Sequence, residues 1–300
     1  MGDTPKPPGS ETWRELHAEL AARVPDVEAR WLVEEVSGLD RSRWGETATA
    51  AGRARLAALS GRRLAGEPLQ YVLGHWSFRG LDLRVDRRVL IPRPETEVVA
   101  EVALAEARRL GRPFVVADMG TGSGALALAL AAELPEAEVW ATDRSAAALD
   151  VARANLGAIG PSADVRVHFA EGMWYEALPG GLRGRLRVIV SNPPYVTEAE
   201  FAGLPAEVRD HEPTGALVAG PSGRECLEEL VAGGLDWLAP GGALVLELAP
   251  DQAAPMRAAA EAAGYHAVAV HRDLTGRDRV LVGRCPVGAP PQPPGAVGRT

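Results

Sequence analysis

The stretch VVADMGTGSG, residues 115–124, is the part of the sequence that decides the fold. It begins as an apolar, strand-like run, continues with Gly120, Gly122 and Gly124, and leads into the helix-favouring run 125–134. A strand that passes through a glycine-rich turn into a helix is the first half of a βαβ unit. Glycine lets the backbone adopt positive φ and approach a ligand closely, and the helix start behind it offers N–H groups.

An acidic residue follows this loop at the end of the next strand-like run, as Asp143 in the segment WATD. A carboxylate at this position can accept both hydroxyls of a ribose, and a tight turn with a surface aspartate is the alternative. The dinucleotide fingerprint is GxGxxG, whereas the third glycine here comes one residue early. This spacing favours S-adenosylmethionine over NAD, because no pyrophosphate has to be cradled.

Strand-like and helix-like runs alternate from about residue 95 onward, which predicts βαβ units and a mostly parallel sheet. The strand-like runs are 114–117, 138–142, 165–169, 188–190, 243–247, 266–270 and 279–282. The main helix-like runs are 125–134, 145–156, 225–238 and 252–263. The last two strands are about eight residues apart, too few for a crossover helix, so we predict that this pair is antiparallel.

The remaining chain divides by its patterns. Residues 11–68 carry apolar side chains at helical spacing and predict a small all-helical domain. Residues 69–94, around Gly74 and Gly80, predict a β-hairpin connector to an α/β domain over 95–285. Residues 1–10 and the segment 286–300, which holds five Pro and three Gly, are predicted to be disordered.

Composition narrows the classes of partner. The 300 residues include 32 basic and 40 acidic side chains, a net charge of −8, which disfavours nucleic acids and anionic membranes as primary partners. The N-terminus lacks the apolar core of a signal peptide, and no apolar run approaches the roughly 20 residues of a membrane span. The two cysteines and six histidines show no metal-ligand spacing. We therefore expect a cytoplasmic monomer without a metal site, a membrane contact or a direct nucleic-acid contact.

A second motif, Asn192-Pro193-Pro194-Tyr195, follows directly after a strand-like run. Its prolines forbid a helix or a central strand, so the chain leaves the sheet as a rigid loop on the side where ligands bind. The Asn192 carboxamide oxygen and the Pro193 carbonyl can accept both hydrogens of a planar –NH2 group, and Tyr195 offers a flat π face. The motif predicts N-methylation of an amide or amino nitrogen through orientation and water exclusion. A tight turn with an incidental asparagine is the alternative.

These residues resemble one known family, the release factor glutamine methyltransferases of the HemK/PrmC type. The resemblance covers about residues 66–283, including GEPLQY (66–71), VLIPRPETE (89–97) and DLTGRDR (273–279). It implies an α/β fold, with a class I (Rossmann-like, seven-stranded) methyltransferase domain beside a helical domain that docks the substrate protein. It also implies methyl transfer from S-adenosyl-L-methionine, with S-adenosyl-L-homocysteine as product. The implied acceptor is the glutamine of the Gly-Gly-Gln (GGQ) motif in class I peptide chain release factors.

The resemblance further implies roles for individual residues. The cofactor would be bound by Gly120, Thr121, Gly122, Ser123, Gly124, Asp143, Trp174 and Asn192. The substrate glutamine would be bound by Asn192, Pro193, Pro194 and Tyr195, of which Asn192, Pro193 and Tyr195 are the catalytic candidates. Without the resemblance, Trp174 is interpreted as a core residue. The sequence departs from the family at Met173, where many members have Asp, and at Ala249, where Gly is usual.

Other functions stay open at this level. A ribosomal-protein glutamine or an exocyclic amino group of a nucleic-acid base would suit the same loop. A non-catalytic nucleoside-binding module and an NAD-dependent oxidoreductase are more distant alternatives.

Two charged residues allow more than one interpretation. Arg93, between prolines, could face an anion or form a surface salt bridge, and we expect Glu247 to cap a helix or form an ion pair rather than line the crevice.

Overall fold

The computed structural model describes residues 10–160 and 165–288. The chain forms two compact units, the first comprising residues up to 75 together with 205–211, and the second comprising 76–204 and the residues from 212 onward. Most of the two segments predicted to be disordered, namely 1–9 and 289–300, lies outside the described residues.

The first unit is helical, as the apolar spacing predicts. It contains α1 (Trp13–Ala21), α2 (Asp26–Ser37), α3 (Ala50–Leu64) and α4 (Leu69–Leu73). Thr12 caps α1 in a reciprocal capping box with Glu15, which satisfies backbone N–H groups that a helix start leaves unpaired. The helices enclose an apolar core that includes Trp13, Leu32 and Trp44.

The predicted connector begins with a helix instead of a strand. Residues 69–73 form α4 because Pro68 fixes the φ that starts it, Gly74 at φ +84° ends it, and its apolar side chains are buried. A hairpin follows as β1 (His75–Phe78) and β2 (Leu81–Arg84). Arg79 and Gly80 both have positive φ, which is the two-residue turn that matches the twist of paired strands.

The second unit alternates strands and helices. Its elements, with the short α9 of the first unit included, are α5 (Thr96–Leu110), β3 (Val115–Met119), α6 (Ala125–Glu133), β4 (Glu138–Asp143), α7 (Ala146–Asn155), β5 (Val167–Glu171), β6 (Leu186–Ser191), β7 (Val196–Thr197), α8 (Glu198–Phe201), α9 (Ala206–Arg209), β8 (Val218–Gly220), α10 (Glu225–Gly234), β9 (Leu238–Glu247), α11 (Ala253–Ala263), β10 (His266–Arg272) and β11 (Asp278–Arg284). α10 stops four residues before the end of the predicted helical run, and Leu238 already belongs to β9.

Seven of these strands form one sheet in the order β10-β11-β9-β6-β3-β4-β5. The pairs β9–β6, β6–β3, β3–β4 and β4–β5 are parallel, and β11 is antiparallel to both of its neighbours. The predicted seven-stranded α/β fold and the antiparallel last pair are therefore confirmed.

The core lies on both faces of this sheet. Along β3, Val116 belongs to one apolar cluster, while Val115 and Met119 belong to the other, because successive side chains point to opposite faces. The first seven residues of α6 are all buried, which explains why its sequence is apolar all round. Among residues 10–160 and 165–288, no helix is long and apolar enough to cross a membrane.

The sheet order places the two motifs side by side. β6 and β4 flank β3 and run parallel to it, so the carboxyl ends of all three strands meet at one edge. The glycine loop after β3, Asp143 at the end of β4 and Asn192 after β6 therefore share the side on which ligands bind in such folds.

Candidate functional site

A cavity of about 330 Å³ lies at this edge, within the second unit. Its volume falls in the range of about 300–1,000 Å³ that is usual for ligand sites. The predicted site residues that line it are Gly120, Thr121, Gly122, Ser123, Asp143, Trp174, Asn192 and Pro194. The other three, Gly124, Pro193 and Tyr195, are not part of the lining.

Gly124 serves the fold of the loop rather than its inner surface. It precedes α6 at φ +86°, a conformation that is strained for other residues. A Cβ at this position would lie 3.1 Å from Leu128 Cδ1 and 3.3 Å from the Cβ of Ala152. The third glycine is thus required both by its backbone angle and by close packing.

Several N–H groups of the glycine loop and of the first turn of α6 are bonded to acceptors within the protein. Gly120 and Thr121 donate to the carbonyl oxygen of Thr142 at 2.9 and 2.8 Å. Gly122 N donates to Asp143 Oδ2 at 2.9 Å, and Ala127 N in the first turn of α6 donates to Asp118 Oδ2 at 3.0 Å. Two carboxylates thus occupy Gly122 N and Ala127 N, which are donors of the kind that a dinucleotide site offers to a pyrophosphate.

Asp143 presents a fixed carboxylate to the cavity. Its Oδ2 accepts from Gly122 N, and its Oδ1 accepts from Ser145 N at 2.9 Å. Burial raises the pKa of Asp143, and these backbone hydrogen bonds oppose the rise. Since each carboxylate oxygen can accept more than one hydrogen bond, both can still accept a ribose hydroxyl.

Asp118 is a second carboxylate in the cavity wall, which our sequence reasoning did not single out. It is 1% exposed, and its Oδ2 accepts from Thr121 Oγ1 at 2.6 Å. Its Oδ1 is buried and has no hydrogen-bond partner among the described residues. Burial raises the pKa of Asp118 to about 7. A buried carboxylate with one unbonded oxygen is suited to a cationic ligand group, which would compensate the charge.

Trp174 lies both against the core and at the cavity. Its ring packs against one apolar core cluster and also lines the cavity. Its backbone has the unusual φ of +43°, and a Cβ on Gly120 would lie 3.4 Å from the indole ring. Met173, the residue that departs from the family, lines the same cavity and is 39% exposed.

The NPPY loop is held by a buried hydrogen-bond chain. Asn192 Nδ2 donates to Thr96 Oγ1 at 3.2 Å, and Thr96 Oγ1 donates to Glu247 Oε2 at 2.7 Å. The Tyr195 hydroxyl donates to Glu247 Oε1 at 3.3 Å. The expectation that Glu247 caps a helix or forms an ion pair is therefore wrong, because the end of β9 is buried behind the loop and the carboxylate accepts from neutral hydroxyls there.

The backbone of the NPPY loop is held by Gln252, the residue that precedes α11. Gln252 Nε2 donates to the carbonyl oxygens of Tyr195 and Gly223, both at 2.9 Å. Gln252 Oε1 accepts from Ala249 N at 3.0 Å. Ala249 has φ −73°, an ordinary value, so the structure does not require a glycine at this departure from the family.

Arg93 forms a salt bridge rather than facing a free anion. Its guanidinium donates to Glu212 Oε1, and Glu212 Oε2 accepts from Ile91 N at 3.1 Å. The Glu212 side chain is 1% exposed. Because Pro92 and Pro213 both line the cavity, this carboxylate ties two of its wall segments together.

Comparisons with known proteins agree with this architecture. The family model described as methyltransferase small domain matches residues 103–204, and the PrmC N-terminal domain model matches residues 11–74. The release factor glutamine methyltransferase of Burkholderia pseudomallei is 42% identical over 90% of this chain and 96% of its own length. That of Deinococcus radiodurans is 43% identical over 90% of this chain and 98% of its own length.

A solved structure, a methyltransferase from Pyrococcus furiosus, shares the fold with a TM-score of 0.50 and 19% identity, over 79% of this chain and all of that one. The enzymes from Burkholderia pseudomallei and Deinococcus radiodurans are 42% and 43% identical to this chain, and both alignments cover 90% of it. The chain belongs to the release factor glutamine methyltransferase family.

Proposed function

We propose that this protein transfers the methyl group of S-adenosyl-L-methionine to the side-chain amide nitrogen of the glutamine in the GGQ motif of class I peptide chain release factors. The observation that carries the proposal is the Asn192 carboxamide at the cavity wall. Its Nδ2 donates to Thr96, while its Oδ1 has no hydrogen bond to another residue in the part of the chain that the structure describes. An oriented acceptor beside a cofactor-sized cavity is what an amide substrate needs. The curated relatives support the choice of release factors.

The cavity residues fit the proposed cofactor. When bound, S-adenosylmethionine supplies an electrophilic methyl group on a sulfonium. Asp143 would accept the ribose hydroxyls, and Asp118 Oδ1 would take the ammonium group, which provides the positive charge that this buried oxygen lacks. Trp174 would bind the adenine with its flat indole.

The loop residues would bind and orient the substrate amide. An amide nitrogen is a weak nucleophile because its lone pair is delocalised into the carbonyl group. Asn192 Oδ1 and the Pro193 carbonyl would accept its two hydrogens and hold the nitrogen toward the methyl group. As the N–C bond forms, the sulfur–methyl bond would break to leave S-adenosyl-L-homocysteine, and the nitrogen would release one of its two hydrogens as a proton to solvent. Orientation and exclusion of water of this kind can lower a barrier by about 7–11 kcal/mol. Tyr195 would contribute its ring as a flat surface, since its hydroxyl is bonded to Glu247.

We propose that the helical region 11–68 docks the release factor and that 69–94 connects it to the methyltransferase region 95–285. The PrmC N-terminal domain model matches residues 11–74, and the first unit runs to residue 75, so both observations support a helical docking region that includes α4 and ends a few residues beyond 68. Residues 205–211 follow the NPPY loop in sequence but belong to the helical unit. There, Glu207 Oε1 lies 2.7 Å from Arg63 Nη1 in a salt bridge. The net charge of −8 supports a protein substrate over a nucleic acid.

The test is a transfer assay with purified enzyme and cofactor labelled in the methyl group. A release factor, a ribosomal protein and a mixture of DNA and RNA are offered separately. We expect label only in the release factor, and none when the glutamine of its GGQ motif is replaced. Label in the ribosomal protein or the nucleic acid, with none in the release factor, would overturn the proposal.

A further inference from the structure

We infer that Thr96 and Glu247 fix the direction of the Asn192 carboxamide and are therefore positioning residues for methyl transfer. Neither residue has a binding role in the proposed function; Thr96 lines the cavity and Glu247 is not among its lining residues. The catalytic consequence of this inference rests on that function, whereas the orientation of the side chain does not.

The three side chains form a chain of hydrogen bonds that leads away from the cavity. Thr96 is the first residue of α5, Asn192 follows β6, and Glu247 ends β9. Thr96 is 4% exposed and Glu247 is 1% exposed, so water does not compete for their hydrogen bonds. The structure thus places a rigid polar connection between the catalytic loop and two elements of the core.

The chain has a direction that chemistry imposes. An ionised carboxylate only accepts hydrogen bonds, and a threonine hydroxyl has a single proton to donate. Because Thr96 donates that proton to Glu247 Oε2 at 2.7 Å, it can only accept from Asn192. The Asn192 group 3.2 Å from Thr96 must therefore be Nδ2. A flipped amide would bring two oxygens together with no hydrogen between them, so Oδ1 is held on the other side.

The surroundings of Glu247 keep this direction defined. Burial and the negative charge of Glu95 raise the pKa of Glu247, whereas the hydroxyl of Thr96, the positive charge of Arg279 and the hydroxyl of Tyr195 oppose that rise. The direction described above is that of the ionised carboxylate. The charge of Arg279 has partners other than Glu247. Arg279 Nη1 donates to the carbonyl oxygen of Leu248 at 3.1 Å, and Arg279 Nε lies 3.5 Å from Asp273 Oδ2. A neutral amide in place of Glu247 would leave Arg279 with these partners.

Conservative substitutions separate the direction of the hydrogen bonds from side-chain packing. Thr96→Val keeps the volume and removes the hydroxyl, whereas Thr96→Ser keeps the hydroxyl. Glu247→Gln keeps the shape but can donate to Thr96, which frees the threonine proton for Asn192 Oδ1 and allows the amide to flip. The wild-type direction is therefore no longer enforced in Thr96→Val and Glu247→Gln, whereas it is kept in Thr96→Ser.

The experiment measures orientation and catalysis in the same four proteins. NMR of the 15N-labelled full chain follows the side-chain –NH2 signals of Asn192, which the Asn192→Asp variant identifies by their loss. Titration calorimetry gives the Kd for S-adenosylmethionine, and the transfer assay gives kcat on the release factor. We expect altered Asn192 signals in Thr96→Val and Glu247→Gln and wild-type signals in Thr96→Ser. We expect kcat to fall about tenfold to a hundredfold in the first two, with Kd within about twofold of wild type.

The outcomes keep the two proposals apart. Unchanged Asn192 signals in both Thr96→Val and Glu247→Gln would overturn the inference, whatever the activity. Altered signals with unchanged kcat would overturn the positioning role. A wild-type enzyme that does not methylate the release factor would refute the proposed function, while the NMR comparison would still decide the orientation.

Discussion

Proton release on cofactor binding provides a quantitative test of the cavity, and Asp118→Asn is the perturbation that isolates it. The pKa of Asp118 is raised to about 7 by burial, so at pH 6 about nine-tenths of the side chains are protonated in the free protein. A cation placed beside the unpartnered Oδ1 favours the ionised form. Binding should therefore release about 0.9 proton from this group at pH 6 and about 0.1 proton at pH 8.

The assay is titration calorimetry with S-adenosylmethionine in two buffers that differ in ionisation enthalpy, which gives the number of protons exchanged. Burial also raises the pKa of Asp143, so this carboxyl can add to the release in the wild type. Asp118→Asn keeps the shape and removes only the proton of Asp118. The difference in proton release between the wild type and Asp118→Asn therefore reports on Asp118. Equal proton release in wild type and Asp118→Asn at pH 6 would refute the assignment of the cationic group to Asp118.

The same carboxyl sets a pH dependence of stability in the absence of cofactor. Because the folded pKa lies above the ordinary value of 3.8, Asp118 stabilises the fold below about pH 4 and loses that contribution as the pH rises through about 7. The free energy of unfolding should thus fall more between pH 5 and pH 8 in the wild type than in Asp118→Asn. Parallel pH profiles of urea unfolding would contradict this sign.

Three further predictions concern single positions. Gly124→Ala should destabilise the fold by about 2–4 kcal/mol, because it adds close contacts to a strained φ. Gly122→Ala places its new Cβ more than 4 Å from any other atom and should destabilise the fold by about 1–2 kcal/mol. Equal losses of the free energy of unfolding in urea would argue against the packing role of Gly124. Met173→Asp should lower the Kd for S-adenosylmethionine about threefold to tenfold by adding an acceptor to the cavity wall, with Met173→Leu as control, and calorimetry decides it. Asn192→Ala should abolish transfer while the circular dichroism spectrum stays close to that of the wild type, and retained turnover would exclude the carboxamide from catalysis.

The parts of the fold that depend on local patterns could be predicted from the sequence. Apolar runs and glycine turns indicated the strands, and the short link before β11 indicated an antiparallel pair. The convergence of Gly120, Asp143 and Asn192 on one edge follows from their positions after parallel strands. α4 was missed because Tyr71 and Val72 are typical of strands, and the helix depends on Pro68 and Gly74 at its ends.

The polar interior of the site could not be predicted in the same way. Thr96 and Glu247 are 151 residues apart, and no local pattern pairs a helix start with a strand end. Asp118 is visible in the sequence as a carboxylate, but its burial and its unbonded oxygen arise only from the packing around it. The assignment of residues 205–211 to the helical unit likewise depends on tertiary contacts.

Peptide mapping of the product tests the central claim most directly. A class I release factor is incubated with the enzyme and S-adenosylmethionine carrying a deuterated methyl group, digested, and analysed by fragment-ion mass spectrometry. We expect one labelled methyl group on the side-chain amide of the glutamine in the GGQ motif, and none with the Asn192→Ala enzyme. A labelled methyl group on another residue, or a GGQ peptide that stays unlabelled after prolonged incubation with active enzyme, would contradict the proposed function.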